Sequence, residues 1–130
     1  MSRLTERTEN FNKAFEIYKE AVENYDVDRI LSHLALVQAY EICFELAWKC
    51  LKDYLREKGI ETNYPLEVIK EAFNKETLKN GQLWINMLQA RNSTSHEYNM
   101  EKVSVYLKEI SSDYFEELTR FKNWLGEIND

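Results

Sequence analysis

Apolar residues recur at steps of three and four positions along most of the chain, the spacing of one face of an α-helix. The first segment, about residues 3–24, shows this stripe at Leu4, Phe11, Phe15, Tyr18 and Val22. Glu and Lys fill many positions between the stripes, so each segment predicts a helix with one buried face. The 130 residues include three glycines and one proline, too few to interrupt many helical turns. We therefore expect an all-α fold.

The second segment, about residues 28–58, is the longest, and its apolar residues follow a heptad spacing. These residues are Ile30, Leu34, Val37, Phe44, Trp48, Leu51 and Leu55. Gly59 stands where a C-terminal helix cap is expected, and Asp26 or Asp28 could cap the start. Glu41 falls on the same seam, so its carboxylate is either buried with a partner or placed at the rim of a cavity.

Three further helices are predicted after this segment. A short one opens at Tyr64-Pro65, because proline suits the first helical position. The next begins at Gln82, and the last covers about residues 100–128, with Asn99 as its candidate cap. The predicted architecture is an antiparallel up-and-down four-helix bundle with one short extra helix, formed by a single domain over residues 1–130.

Charge and cysteine spacing narrow the class of function. A net charge of −6 argues against general binding to DNA or long RNA, which needs a basic face, and leaves room for a local nucleotide or RNA site. Cys43 and Cys50 would lie about 10 Å apart on one helix, too far for a disulfide, and reduced thiols suit the cytoplasm. No continuous apolar run approaches 18 residues, so we expect a cytoplasmic protein without a membrane partner.

The polar run Arg91-Asn92-Ser93-Thr94-Ser95-His96-Glu97-Tyr98 is the strongest candidate for a functional site. A guanidinium beside an imidazole can bind a phosphate and act on it. On a continuous helix Arg91 and His96 would point about 140° apart, so they converge only if the helix ends between them. Residues 92–95 are poor helix formers and favour that ending. The alternative is a polar helix terminus in which Arg91 binds carbonyls and His96 caps the last turn.

Several catalytic motifs are missing from the sequence. The unclustered glycines exclude a phosphate loop and a dinucleotide fingerprint, and two isolated histidines with two core cysteines cannot form a standard zinc site. We therefore predict no metal and no cofactor. Asp26-Val27-Asp28 is similar to the paired aspartates of nucleotidyltransferases but lacks their preceding Gly-Ser turn and strand. The chain is accordingly not expected to be a nucleotidyltransferase itself.

The run from Arg91 to Tyr98 resembles the R-N-x-x-x-H pattern of HEPN domains (higher eukaryotes and prokaryotes nucleotide-binding), in the form that ends H-x-Y. Residues 44–55, 65–73 and 84–88 resemble one branch of that superfamily, the nucleotidyltransferase substrate-binding proteins. The resemblance covers essentially the whole chain. It implies a helical bundle that forms a homodimer, with two copies of the Arg–His run meeting at the interface, and a separately encoded minimal nucleotidyltransferase as partner.

Two functions follow from this resemblance. In the first, the chain is a binding partner, and the pocket of Arg91 and His96, with Ser95 as a further binding hydroxyl, holds a nucleotide or the substrate of the nucleotidyltransferase. In the alternative, the chain is a metal-independent endoribonuclease toxin. His96 is then the general base, Arg91 holds the phosphate, Asn92 orients the pair, and the partner silences the toxin by adding AMP to Tyr98. A third hypothesis is a structural dimerisation bundle.

Overall fold

A computed structural model of the protein describes residues 2–95 and 100–129. The helices are α1 (Arg3–Glu23), α2 (Ile30–Glu57), α3 (Pro65–Asn74), α4 (Gly81–Ser95), α5 (Met100–Val103), α6 (Leu107–Ser111) and α7 (Asp113–Ile128). A 3-10 turn, Ser104–Tyr106, joins α5 to α6. The described part of the chain contains no strand, and the predicted all-α helical bundle, with α3 as its short extra helix, is confirmed.

One of the two predictions for the ends of helix α2 is confirmed. Its end is as expected, because Gly59 takes a positive φ of 84° and its amide donates to the Arg56 carbonyl at 3.0 Å. Its start follows Arg29, which provides no side-chain cap. The prediction that Asp26 or Asp28 caps α2 is therefore wrong. The Asp26 carboxylate instead accepts from the amide of Asp28 at 2.9 Å and closes a turn before the helix.

The core lies around α2, which packs against α1, α3, α4, α6 and α7. Two buried tyrosines fix neighbouring helices to each other: Tyr40 Oη donates to the Met87 carbonyl of α4 at 2.7 Å, and Tyr18 Oη of α1 donates to the Ile110 carbonyl of α6. The Tyr40 ring also stacks on Phe44 one turn along α2, with centroids 6.0 Å apart. The orientation of α4 against α2 is thus set by buried side chains, and α4 carries the candidate site.

Two of the seven heptad residues predicted for α2 do not join the core. Ile30 and Leu34 are 60% and 48% exposed, whereas the seam is buried from Val37 onward. The described helices leave this side of the first turns of α2 uncovered. An apolar strip therefore reaches the surface at the start of α2.

The segment predicted as one helix over about residues 100–128 is divided. Helix α6 ends at Ser111, and Ser112 leaves the helical region with φ −127° and ψ −87° before α7 begins. Both serine hydroxyls donate to the Lys108 carbonyl, at 3.0 and 2.6 Å, and so replace backbone partners of the continuous helix. The apolar stripe continues across the break, which is why periodicity alone did not reveal it.

By length and mean hydropathy alone, α2 would be long and apolar enough to cross a membrane. Its continuous apolar runs are short, since His33, Gln38, Glu41 and Glu45 interrupt them. The same helix supplies many of the buried aromatic and aliphatic residues of the core, so its hydropathy is that of a central helix.

Candidate functional site

Helix α4 carries the polar run and continues through Ser95. Residues 92–95 are thus helical, and the residues that follow lie outside the described part, so the expected helix end between Arg91 and His96 stays a prediction. Within the helix, the Ser95 hydroxyl donates to the Asn92 carbonyl at 3.5 Å, and Thr94 Oγ1 lies 3.4 Å from the Arg91 carbonyl. The hydroxyls find these partners without breaking the helix. His96 and Tyr98 lie outside the described residues, so the convergence of His96 with Arg91 stays a prediction.

Arg91 projects from α4 toward α2 rather than into solvent. Its side chain is 30% exposed, and Nη2 lies 2.9 Å from Glu45 Oε2. Nη1 donates to Asn92 Oδ1 at 3.2 Å. The guanidinium therefore has a carboxylate partner at the rim of the bundle.

The Glu45 carboxylate collects three donors. Besides Arg91, it accepts from Trp48 Nε1 at 3.0 Å and lies 3.6 Å from Lys49 Nζ. Trp48 and Lys49 follow Glu45 by three and four residues, so one turn of α2 presents all three side chains on one face. Two cations, one from α2 and one from α4, thus meet at a single carboxylate.

A second polar contact joins the same two helices near Glu41. The Thr94 hydroxyl donates to Glu41 Oε2 at 2.7 Å, and Thr94 itself is buried. Glu41 is half-buried and lines a cavity, so both possibilities raised for it from the sequence apply. Glu41 and Glu45 are one turn apart on α2 and face Thr94 and Arg91, respectively, on α4.

These contacts border a cavity of about 400 Å³ between α2 and α4. It is lined by Gln38, Glu41, Ile42, Glu45, Leu46, Arg91 and Ser95. A neighbouring cavity of about 240 Å³ shares three of these residues, Gln38, Glu41 and Ser95. Of the five site residues predicted from the sequence, Arg91 and Ser95 line the cavity, and Asn92 contacts Arg91 from the exposed side of α4.

Other reactive side chains have structural surroundings. The His33 ring nitrogen Nε2 lies 2.8 Å from the Val27 carbonyl, so this histidine holds the turn before α2. Burial raises the pKa of the Cys50 thiol to about 12, with nearby Asp53 adding to the shift, and burial also raises the pKa of Cys43. Both thiols are free and stay protonated at neutral pH. Among the described residues no group of three His, Cys, Asp or Glu side chains is placed to hold a metal ion.

Sequence reasoning missed Glu45 and Lys49 as members of the site, and it gave Thr94, which lies within the polar run, no role of its own. A signal for Glu45 existed, since it stands one turn after Glu41 on the face that turns toward α4. Lys49 and Thr94 gave no comparable signal, because a lysine on a surface helix and a threonine among poor helix formers are common. Their role becomes visible when the packing of α4 on α2 is known.

The sequence over residues 6–127 matches the profile of the family described as nucleotidyltransferase substrate binding protein like. The chain belongs to this family. The chain is similar to a crystal structure of a protein from Thermus thermophilus, with a TM-score of 0.80 and 29% sequence identity. The similarity covers 88% of this chain and 98% of the Thermus chain. None of the curated proteins compared matches the sequence.

Membership of this family associates the chain with a nucleotidyltransferase in general terms. The matched region includes the whole of α2 and α4, and therefore every residue of the cavity that contains Arg91. The Thermus structure carries the same fold over most of this chain.

Proposed function

We propose that this chain is a HEPN-type partner of a separately encoded minimal nucleotidyltransferase, and that it binds a nucleotide, or the partner's substrate, through the cavity at Arg91. The observation that carries the proposal is the half-buried Arg91 guanidinium on the wall of a cavity of about 400 Å³. A guanidinium presents a planar set of donors that fits phosphate oxygens. The family match over residues 6–127 supports the pairing with a nucleotidyltransferase.

The charge around the cavity favours a small ligand over a long nucleic acid. Arg91 lines the cavity and Lys49 lies beside it, while Glu41 and Glu45 form part of its wall. The whole chain has a net charge of −6. One phosphate group matches such a site, whereas tracking along a strand needs an extended basic surface. We place the protein in the cytoplasm, because reduced buried thiols and a cytosolic nucleotide supply suit this function.

We further propose that the chain forms a homodimer through the exposed strip of α2. Ile30, Leu34 and Ile42 are 60%, 48% and 47% exposed, and their spacing places them within a sector of about 120° around α2. The strip is about 18 Å long from the helical rise. Ile42 also lines the cavity with Arg91, so a two-fold contact along this strip would bring two cavities close together.

Binding is tested by isothermal titration calorimetry with AMP and ATP. The wild-type chain should bind one of them, and Arg91→Gln should lose most of the heat of binding while keeping its helical circular dichroism. Arg56→Gln is the matched control, because Arg56 is exposed on α2 and lines no part of the cavity. Equal binding by the Arg91 and Arg56 variants, or absence of binding by the wild type, would refute the nucleotide-binding proposal.

Pairing with the nucleotidyltransferase is tested by co-expression and affinity capture of the tagged partner. The dimer is tested separately by sedimentation of Leu34→Glu. Phe73→Glu is the control, since Phe73 on α3 is equally exposed at 48% but lies outside the strip. We expect the Leu34 variant to sediment as a monomer and the Phe73 variant as a dimer. A Leu34→Glu chain that stays dimeric would show that the strip is not the interface.

The ribonuclease hypothesis uses the same arginine and is favoured by one contact. Asn92 Oδ1 accepts from Arg91 Nη1 at 3.2 Å, which is the orienting contact that the mechanism requires of Asn92. The proposed general base His96 and the proposed AMP acceptor Tyr98 lie outside the described residues. If the chain is a ribonuclease, its expression alone should be toxic to cells, and His96→Ala should relieve the toxicity. If growth is unimpaired and RNA stays intact after incubation with the purified chain, the ribonuclease hypothesis is refuted and the binding function remains.

A further inference from the structure

We propose that Glu45 is an internal anion that occupies the phosphate position of the Arg91 site, and that an arriving phosphate displaces it and binds both Arg91 and Lys49. This inference rests on the proposed nucleotide-binding function. It adds Lys49 as a second binding cation and gives Glu45 the role of an internal competitor. Neither role follows from the polar run on α4, because both residues belong to α2.

The position of the Glu45 carboxylate is defined by cations from two helices. Arg91 Nη2 of α4 lies 2.9 Å from one oxygen, and Lys49 Nζ of α2 lies 3.6 Å from the other. Carboxylate and phosphate oxygens are recognised by guanidinium and ammonium groups in the same way. A phosphate group at the present position of the Glu45 carboxylate would therefore contact both Arg91 and Lys49.

Exchange of the two anions is physically feasible because the cluster is open to solvent. The side chains of Glu45, Arg91 and Lys49 are 29%, 30% and 34% exposed. A released Glu45 can therefore be hydrated without burial of an unpaired charge. A phosphate monoester carries a charge of about −1.5 to −2 near neutral pH, so it interacts more strongly with two cations than one carboxylate does.

Two neighbouring groups set limits on the exchange. Trp48 Nε1 now donates to Glu45 at 3.0 Å and would become available to the phosphate. Glu41 lines the same cavity and repels an anion, but its Oε2 is held by the Thr94 hydroxyl at 2.7 Å. The Thr94 contact keeps one oxygen of that second carboxylate directed at α4. The competing charge at the guanidinium itself is therefore that of Glu45.

The test compares AMP affinity in three variants by calorimetry. In Glu45→Gln the amide oxygen can still accept from Trp48, and only the negative charge is removed. We expect this variant to bind AMP about twofold to fivefold more tightly than wild type, the range for a solvent-accessible ion pair. Lys49→Gln should bind AMP more weakly by a similar factor. Glu57→Gln, an exposed residue of α2, controls for the change in net charge.

A spectroscopic readout separates displacement from a general change of affinity. Displacement removes the acceptor of the Trp48 indole N–H, so its proton–nitrogen resonance should shift when AMP is added to wild type. The resonance is identified by its loss in Trp48→Phe. An unmoved resonance at saturating AMP, or affinity in Glu45→Gln that is equal to or weaker than wild type, would overturn the inference.

Failure of the underlying function has a different signature. If wild type binds neither AMP nor ATP, or if Arg91→Gln binds the nucleotide unchanged, the nucleotide-binding proposal fails together with the inference. If wild type binds through Arg91 but Glu45→Gln gains nothing, the binding function stands and Glu45 is not a competitor. Tighter binding by Glu45→Gln and by Glu57→Gln alike would assign the gain to net charge and also overturn the inference.

Discussion

Replacement of Thr94 by valine tests whether the contact between α2 and α4 at Glu41 stabilises the site. Thr94 is 6% exposed, and its hydroxyl donates to Glu41 Oε2 at 2.7 Å. Valine keeps the shape of threonine and has a similar helix propensity, so the lost donor is the main change. The partner is a half-buried carboxylate, which water can reach in part when the hydroxyl is gone.

The expected loss follows from these surroundings. A hydrogen bond to a charged group contributes about 1.5–3 kcal/mol when buried, and partial hydration of Glu41 lowers the loss to about 1–2 kcal/mol. A chain of this length has an unfolding entropy of about 0.27 kcal/mol per kelvin, so Tm should fall by about 4–7 °C. Thr119→Val is the matched control, because the Thr119 hydroxyl donates to a carbonyl of its own helix at 2.8 Å. The control should change the stability by less than about 0.5 kcal/mol.

The measurement is urea and thermal unfolding followed by circular dichroism, in a double-mutant cycle with Glu41→Ala, which removes the acceptor. If the contact stabilises the fold, the effects of Thr94→Val and Glu41→Ala should depart from additivity by about 1 kcal/mol. Additive effects, or equal losses for the Thr94 and Thr119 variants, would refute the assignment. The apparent contact would then be a consequence of helix packing and not one of its causes.

Three further predictions concern the core. Trp84→Phe removes the indole donor that lies 2.9 Å from buried Glu117. Urea unfolding should therefore show an unfolding free energy lower by about 2–3 kcal/mol. The loss should be smaller for Trp124→Phe, because the Trp124 indole is only partly buried. Because burial raises the pKa of Cys50 to about 12, its alkylation by iodoacetamide at pH 8, followed by mass spectrometry, should be far slower in the native chain than in urea. Burial raises the pKa values of Tyr18, Tyr40, Cys43 and Cys50, so above pH 10 the unfolded chain loses protons that the native chain keeps, and stability should fall by at least about 1.4 kcal/mol per pH unit in alkaline urea titrations. Uniform stability between pH 10 and 11 would contradict this last prediction.

The fold followed from the sequence more fully than the site did. Periodic apolar residues, Pro65 at a helix start and Gly59 after a helix end define most of the bundle without knowledge of tertiary contacts. The break at Ser112 was missed, because hydroxyl-to-carbonyl bonds can either stay within a helix or interrupt it. Residue 95 shows the other case, because its hydroxyl donates to the Asn92 carbonyl within a helix that continues through Ser95.

The site could be predicted from one helix only. Arg91, Asn92 and Ser95 are close in sequence on α4, so a local pattern identifies them. Glu45 and Lys49 come from α2, more than 40 residues earlier, and the contact of Glu45 with Arg91 depends on how the two helices pack. No periodic rule within one helix gives that relation. The missing part of the prediction was therefore a tertiary contact and not a missing motif.

The Glu45–Arg91 and Glu41–Thr94 contacts between α2 and α4 differ in how much their loss would lower the free energy of unfolding. This difference makes a displaceable Glu45 compatible with a stable fold. Glu45 and Arg91 are both about one-third exposed, so their separation lets water hydrate each charge. Thr94 is buried and Glu41 is half-buried, so water replaces the bond between them only in part. Tyr40 adds a buried bond to the Met87 carbonyl at 2.7 Å between the same helices. A ligand can therefore open the Glu45–Arg91 pair while the Glu41–Thr94 and Tyr40–Met87 contacts hold α4 against α2. This arrangement lets the binding arginine change partners without movement of the helix that carries it.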